Sequence, residues 1–182
     1  MACKKQDSVS SGKQPAEFSQ QLAANIAGKA VVLNNTMSQN REILKGMFTM
    51  FGDNGGQRRQ MYNIDAAISA LDGDINTKST FRIQLNNVKT GIFDITGEDS
   101  VFQPLTGSYA VLSIRSAANS YSLVLYTASV KKQPFKVQVT GFEYPPYSSI
   151  PTVTGTFNGV LYNTQNIADS VIVKNGAFKV RF

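Results

Sequence analysis

Three oxygen-bearing side chains at alternate positions, Asp72, Asp74 and Asn76, have the opening spacing of a calcium loop. An EF-hand would continue with Gly at its sixth place and a bidentate Glu at its twelfth. Here Thr77 and Ile83 stand there, so an EF-hand is excluded and only a looser oxygen-donor site for Ca2+ at a turn remains. Asp53-Asn54 is a second such cluster, and turn chemistry accounts for both without metal, because Asp and Asn bond their own backbone there. The acids Asp94, Glu98, Asp99 and Glu143 are the material for glycoside hydrolysis, which needs two carboxyl groups facing one cleft. Glu98 and Asp99 are adjacent, but nothing in the sequence places any two of the four across one cleft, and solvated loop acids are the commoner reading. Gly12-Lys13 lacks the upstream glycine of a phosphate-binding loop. With no histidine and one cysteine in 182 residues, Ser-His, Cys-His and His-ligated metal mechanisms are excluded, as is an internal disulfide. The chain is therefore read as non-enzymatic, with no catalytic residue and no cofactor beyond the Ca2+ reading.

Two other features carry chemistry of a different kind. The single cysteine, Cys3, heads a polar stretch, MACKKQDSVSSGKQP, with one large aliphatic side chain, Val9. Such a stretch buries too little surface to offset its ordering entropy, which predicts a flexible tether over 1–15 and a single domain over 16–182. A thiol in a tail has no core to join, so Cys3 is the candidate site of modification. Phe142-Glu143-Tyr144-Pro145-Pro146-Tyr147 is stiffened by two prolines and presents amphipathic rings. Phe142, Tyr144 and Tyr147 are thus the candidate ligand-binding residues, for a glycan or an envelope protein. The competing reading has Phe142 and one tyrosine capping the core.

The elements that must position these groups are strands. Phe81, Ile83 and Leu85 alternate with Arg82, Gln84 and Asn86; Phe135, Val137 and Val139 with Lys136, Gln138 and Thr140; Phe178, Val180 and Phe182 with Lys179 and Arg181. Tyr121-Leu123-Leu125 continues the pattern, with Val124 and Tyr126 implying a partly covered second face. Phe18, Leu22 and Ile26, and again Ile43, Met47 and Phe51, also carry helical spacing, but the strand-rich surroundings favour a hairpin with Gly28-Lys29 as the turn into Ala30–Leu33 and a strand through Phe48 and Met50. Asn175-Gly176 predicts a type I′ hairpin turn. Breaks fall at 52–56, 72–74, 118–120 and 144–147. Many short strands with closely spaced turns predict an all-β fold, an antiparallel β-sandwich or partly open barrel of about 8–11 strands.

Charge adds little. A net charge of +6 is scattered as Lys4-Lys5, Arg58-Arg59, Lys131-Lys132 and the pair Lys179 and Arg181, with no run longer than two. A nucleic-acid partner needs such charge gathered on one face, so none is expected. No run of eighteen apolar residues exists to span a bilayer as a helix.

Met1-Ala2-Cys3 resembles the end of a bacterial lipobox, and Cys3-Lys4-Lys5 with its polar linker is similar to the start of mature lipoproteins of the Bacteroidota. The body resembles an uncharacterised family of small all-β lipoproteins of that group. Ala24-Asn25-Ile26-Ala27-Gly28-Lys29 is similar to its opening hairpin, Gly107-Ser108-Tyr109 to its middle, and Gly155-Thr156-Phe157 with Asn175-Gly176 to its closing strand and hairpin. The resemblance implies acylation at Cys3, an outer-membrane lipoprotein facing the periplasm or the surface, and a membrane partner through that anchor. It implies no activity. Charges at the terminal strand predict a monomer.

Overall fold

The computed structural model describes residues 17–36, 43–52, 58–69, 71, 78–98, 107–115 and 123–181. Eleven strands occur among them, β1 (Ser19–Ile26), β2 (Lys29–Thr36), β3 (Leu44–Gly52), β4 (Arg58–Ser69), β5 (Lys78–Asn86), β6 (Gly91–Ile95), β7 (Tyr109–Arg115), β8 (Leu123–Thr127), β9 (Phe135–Glu143), β10 (Thr152–Asn163) and β11 (Ser170–Val180). Every pairing is antiparallel, in the order β2-β1-β11-β10-β8-β7-β5-β4-β3. The sheet divides at β10, whose last residues pair with β8 while its first half pairs with β9, which in turn pairs with β6. The result is an antiparallel sheet nearly closed into a barrel, as the alternation predicts.

Closure comes from side chains. Gln20 on β1 and Asn35 on β2 are buried, and both donate to the carbonyl of Leu44 on β3, at 3.2 and 3.1 Å. The carbonyl of the Gln20 amide accepts from Gly46 N at 3.2 Å and Arg181 N at 3.4 Å. Two carboxamides thus satisfy backbone groups that a ladder would otherwise have to pair.

The interior is held by phenylalanines seated on glycines. Phe157 lies 5.3 Å from Phe81, 6.3 Å from Phe135 and 6.2 Å from Phe178, ring centre to ring centre, and all four rings are buried. A Cβ on Gly176 would lie 2.4 Å from the Phe157 ring, and one on Gly155 would lie 2.6 Å from that of Phe178. Glycine normally weakens a strand, but here it makes the room these rings occupy.

Asn175-Gly176 corrects the predicted hairpin. β11 is continuous through it, paired on both sides, and three of its residues oppose two on β1 and two on β10. Asn175 has φ +53°, so its left-handed backbone makes a bulge inside the sheet where the sequence suggested a turn between strands. The first hairpin is displaced by one residue: its turn is Ala27-Gly28, with φ +54° and +80°. Gln84 is also not on a wetted face. It is 1% exposed and donates to the carbonyl of Gly107 at 2.9 Å. Leu123 is exposed, and Val124, Leu125 and Tyr126 are half-buried, so neither face of β8 is fully covered.

Candidate functional site

Alternation along β3 turns Leu44, Gly46 and Phe48 to the same side. Gly46 leaves space for Tyr62 of β4, whose hydroxyl would lie 2.2 Å from any Cβ there. Phe48, half-buried, follows at the margin of the core. Its ring centre is 6.4 Å from Tyr62, 6.3 Å from Phe142 at the end of β9, and 6.4 Å from Tyr144 just beyond it. Phe142 and Tyr144 meet edge to face at 5.6 Å. Such contacts add roughly 0.5–1.5 kcal/mol each beyond burial, which fixes the rings without covering them. Tyr144 remains 48% exposed. Two of the three predicted ligand-binding aromatics are therefore assembled on a third, Phe48, which the sequence did not single out.

Tyr147 stands apart from that cluster. The amide of Ser148 donates to the carbonyl of Pro145 at 3.0 Å, closing a turn with Pro146 second and Tyr147 third. Tyr147 has φ +63°, the left-handed value that the third residue of a type II turn requires and that glycine satisfies best. Its side chain is fully exposed. A bulky residue in this conformation costs on the order of 1–2 kcal/mol and recovers nothing from burial. The capping reading therefore describes Phe142 and part of Tyr144, and leaves Tyr147 unexplained by the core.

The acids are dispersed. Asp94 on β6 pairs with Lys136 at 3.3 Å, and Glu143 lies seven residues along β9 from Lys136. At about 3.3 Å per residue that separates the two acids by roughly 20 Å, beyond the range of a glycoside-hydrolysing pair. Glu98 is exposed after β6. Among the described residues no three His, Cys, Asp or Glu side chains are grouped to hold a metal ion. Asp72, Asp74 and Asn76, Asp53-Asn54, Asp99 and Cys3 lie outside the described residues.

Over residues 20–181 the sequence matches a family described as a domain of unknown function, DUF5025. The chain belongs to the DUF5025 family. The match runs from Gln20 to Arg181, the two residues joined by the hydrogen bond at the closing seam. A DUF5025 unit so bounded contains both sides of the closure and the whole aromatic rim. No curated protein and no solved structure matches the chain.

Proposed function

We propose that this chain is a lipid-anchored protein of the bacterial cell envelope, of Bacteroidota type, whose β-barrel is a non-catalytic glycan-binding module. The observation that carries the binding role is Tyr147, a fully exposed tyrosine kept in a backbone conformation that favours glycine. Backbone strain at a surface aromatic is the mark of a residue retained for what it touches. Three residues earlier in the chain, Tyr144 on Phe48 and Phe142 offers a rigid ring whose face suits the apolar face of a sugar and whose hydroxyl suits its edge. Support for the anchor is Cys3, the chain's single cysteine, in a polar, lysine-bearing stretch ahead of this body. Attached through several acyl chains, such a protein stays on its membrane.

The binding role is tested by placing Tyr147→Gly and Tyr144→Ala on an envelope-glycan array beside the native protein. Tyr147→Gly is expected to lose binding while its unfolding free energy rises by about 1 kcal/mol, because the strain is relieved. Full glycan binding by the glycine variant would refute the assignment. Intact mass of the protein isolated from its own membranes tests the anchor. Acyl mass on Cys3, absent from Cys3→Ala, is expected, and an unmodified thiol on a soluble protein would end that part of the reading.

A further inference from the structure

The bulge in β11 does more than seat Phe157. It also opens a shallow concavity of about 470 Å3, to which Thr156, Asn158, Lys174 and Asn175 bring polar groups and Phe157, Gly176 and Ala177 an apolar floor. This volume is in the range that accepts one or two sugar rings. We propose that this cup is a binding site for a carboxylated sugar, a hexuronate unit of an acidic polysaccharide. The inference goes beyond the aromatic rim, involves none of its residues, and is tested separately from it.

The chemistry of the lining selects the ligand. Asn158, Asn175 and Thr156 are exposed and carry groups that both donate and accept, as sugar hydroxyls do. The extra residue of a bulge has no partner across the ladder, so backbone polar groups are also presented there. Three features set the charge preference. No carboxylate lines the cup. Lys174 is exposed and has no carboxylate partner among the described residues. Lys136, opposite Asn158 across the β9–β10 ladder, has a carboxylate partner in Asp94 at 3.3 Å. One free ammonium among neutral donors suits a sugar that carries a single negative charge among its hydroxyls, as a hexuronate does.

The core does not account for these side chains. Gly176 is the residue that the Phe157 ring requires, and Asn175 supplies the left-handed turn of backbone. Lys174 and Asn158 point to solvent, where any hydrophilic residue would serve the fold equally well. Their position around a 470 Å3 depression gives them a function that packing does not.

Titration of the purified full-length protein with tetraglucuronate and with cellotetraose, followed by amide chemical shifts and calorimetry, tests the assignment. Tetraglucuronate is expected to bind with shifts centred on Thr156, Asn158 and Lys174–Ala177, and to weaken as salt is added. Lys174→Gln should reduce affinity roughly tenfold, the loss expected for one hydrogen bond to a charged group. Asn158→Ala should reduce it further in combination, and Lys45→Gln, a change at an exposed position on β3 outside the cup, should leave it unchanged. Equal affinity for the neutral and acidic tetrasaccharides, an unchanged affinity in Lys174→Gln, or absence of binding by the native protein at millimolar ligand would each overturn the proposal.

Discussion

Asp169 shows how single side chains tie the ends of strands together. Its carboxylate accepts from the Asn163 carboxamide and from the Tyr126 hydroxyl, each at 2.9 Å, linking β10, β8 and the turn before β11. These two bonds, Asn163 first, hold its pKa below the ordinary aspartate value. A depressed carboxylate contributes stability that is complete above the unfolded pKa, near 4, and drains away as pH falls through the folded value. Tyr126 is the mirror case. Burial, and then the Asp169 bond, push its pKa up to about 12, so its contribution is complete below pH 10 and fades above it. Urea midpoints measured between pH 2 and 7 should therefore fall less steeply for Asp169→Asn than for the native chain. Tyr126→Phe should flatten both the acid and the alkaline limbs; unchanged limbs would show that the pair contributes nothing to folding.

At the scale of the element, β10 and β11 are two strands whose glycines and phenylalanines interlock. Gly155 faces Phe178, and Gly176 faces Phe157, across one ladder. Adding a methyl at Gly176 meets both the Phe157 ring and the Phe157 carbonyl oxygen, at 2.4 and 2.5 Å, and backbone cannot yield as a side chain can. Gly176→Ala is accordingly expected to lower stability by roughly 3 kcal/mol in urea titration, at the upper end of overpacking penalties. A loss below about 0.5 kcal/mol would mean that the strands separate easily and the interlock is weak. The strands themselves were legible from period-two alternation, as at Phe135, Val137 and Val139, because a half-buried strand must alternate. The bulge was not, since Asn-Gly satisfies a left-handed backbone equally in a hairpin and inside a strand. Only the pairing partners on both sides of Asn175 distinguish them. Phe48 was similarly hidden: its local spacing marks a strand, and what makes it a platform is Phe142, far along the chain. Tyr147 was visible as a residue, but its left-handed φ was not, because two prolines before a tyrosine do not fix which turn type follows.

For the molecule as a whole, the decisive feature is that the circle is closed by carboxamides. Among the described residues β2 pairs with β1 alone and β3 with β4 alone, and Gln20 and Asn35 bridge the distance between these edges. Gln20→Leu keeps the volume but strands Gly46 N and removes a donor from Leu44, and should cost about 3 kcal/mol, the penalty for unsatisfied buried backbone groups. Hydrogen exchange locates the effect. Amides of β3 should lose protection in this variant while those of β10 and β11 retain theirs, and uniform protection across the sheet would refute a side-chain seam. Sequence reading placed the barrel in the right class without finding this seam. Glutamine and asparagine at inward positions look like ordinary polar strand residues until the edge opposite them is known.

The strand order also has a temporal meaning. β1 lies between β2 and β11, with Gln21 opposite Lys179. A chain emerging from a ribosome in order therefore holds its first hairpin unattached along one side until its last strand has been made. Halting synthesis before Ser170 would not yield a barrel one stave short. It would yield a first hairpin joined to the larger body only through the Gln20 and Asn35 carboxamides at β3, with nothing laid along its other side.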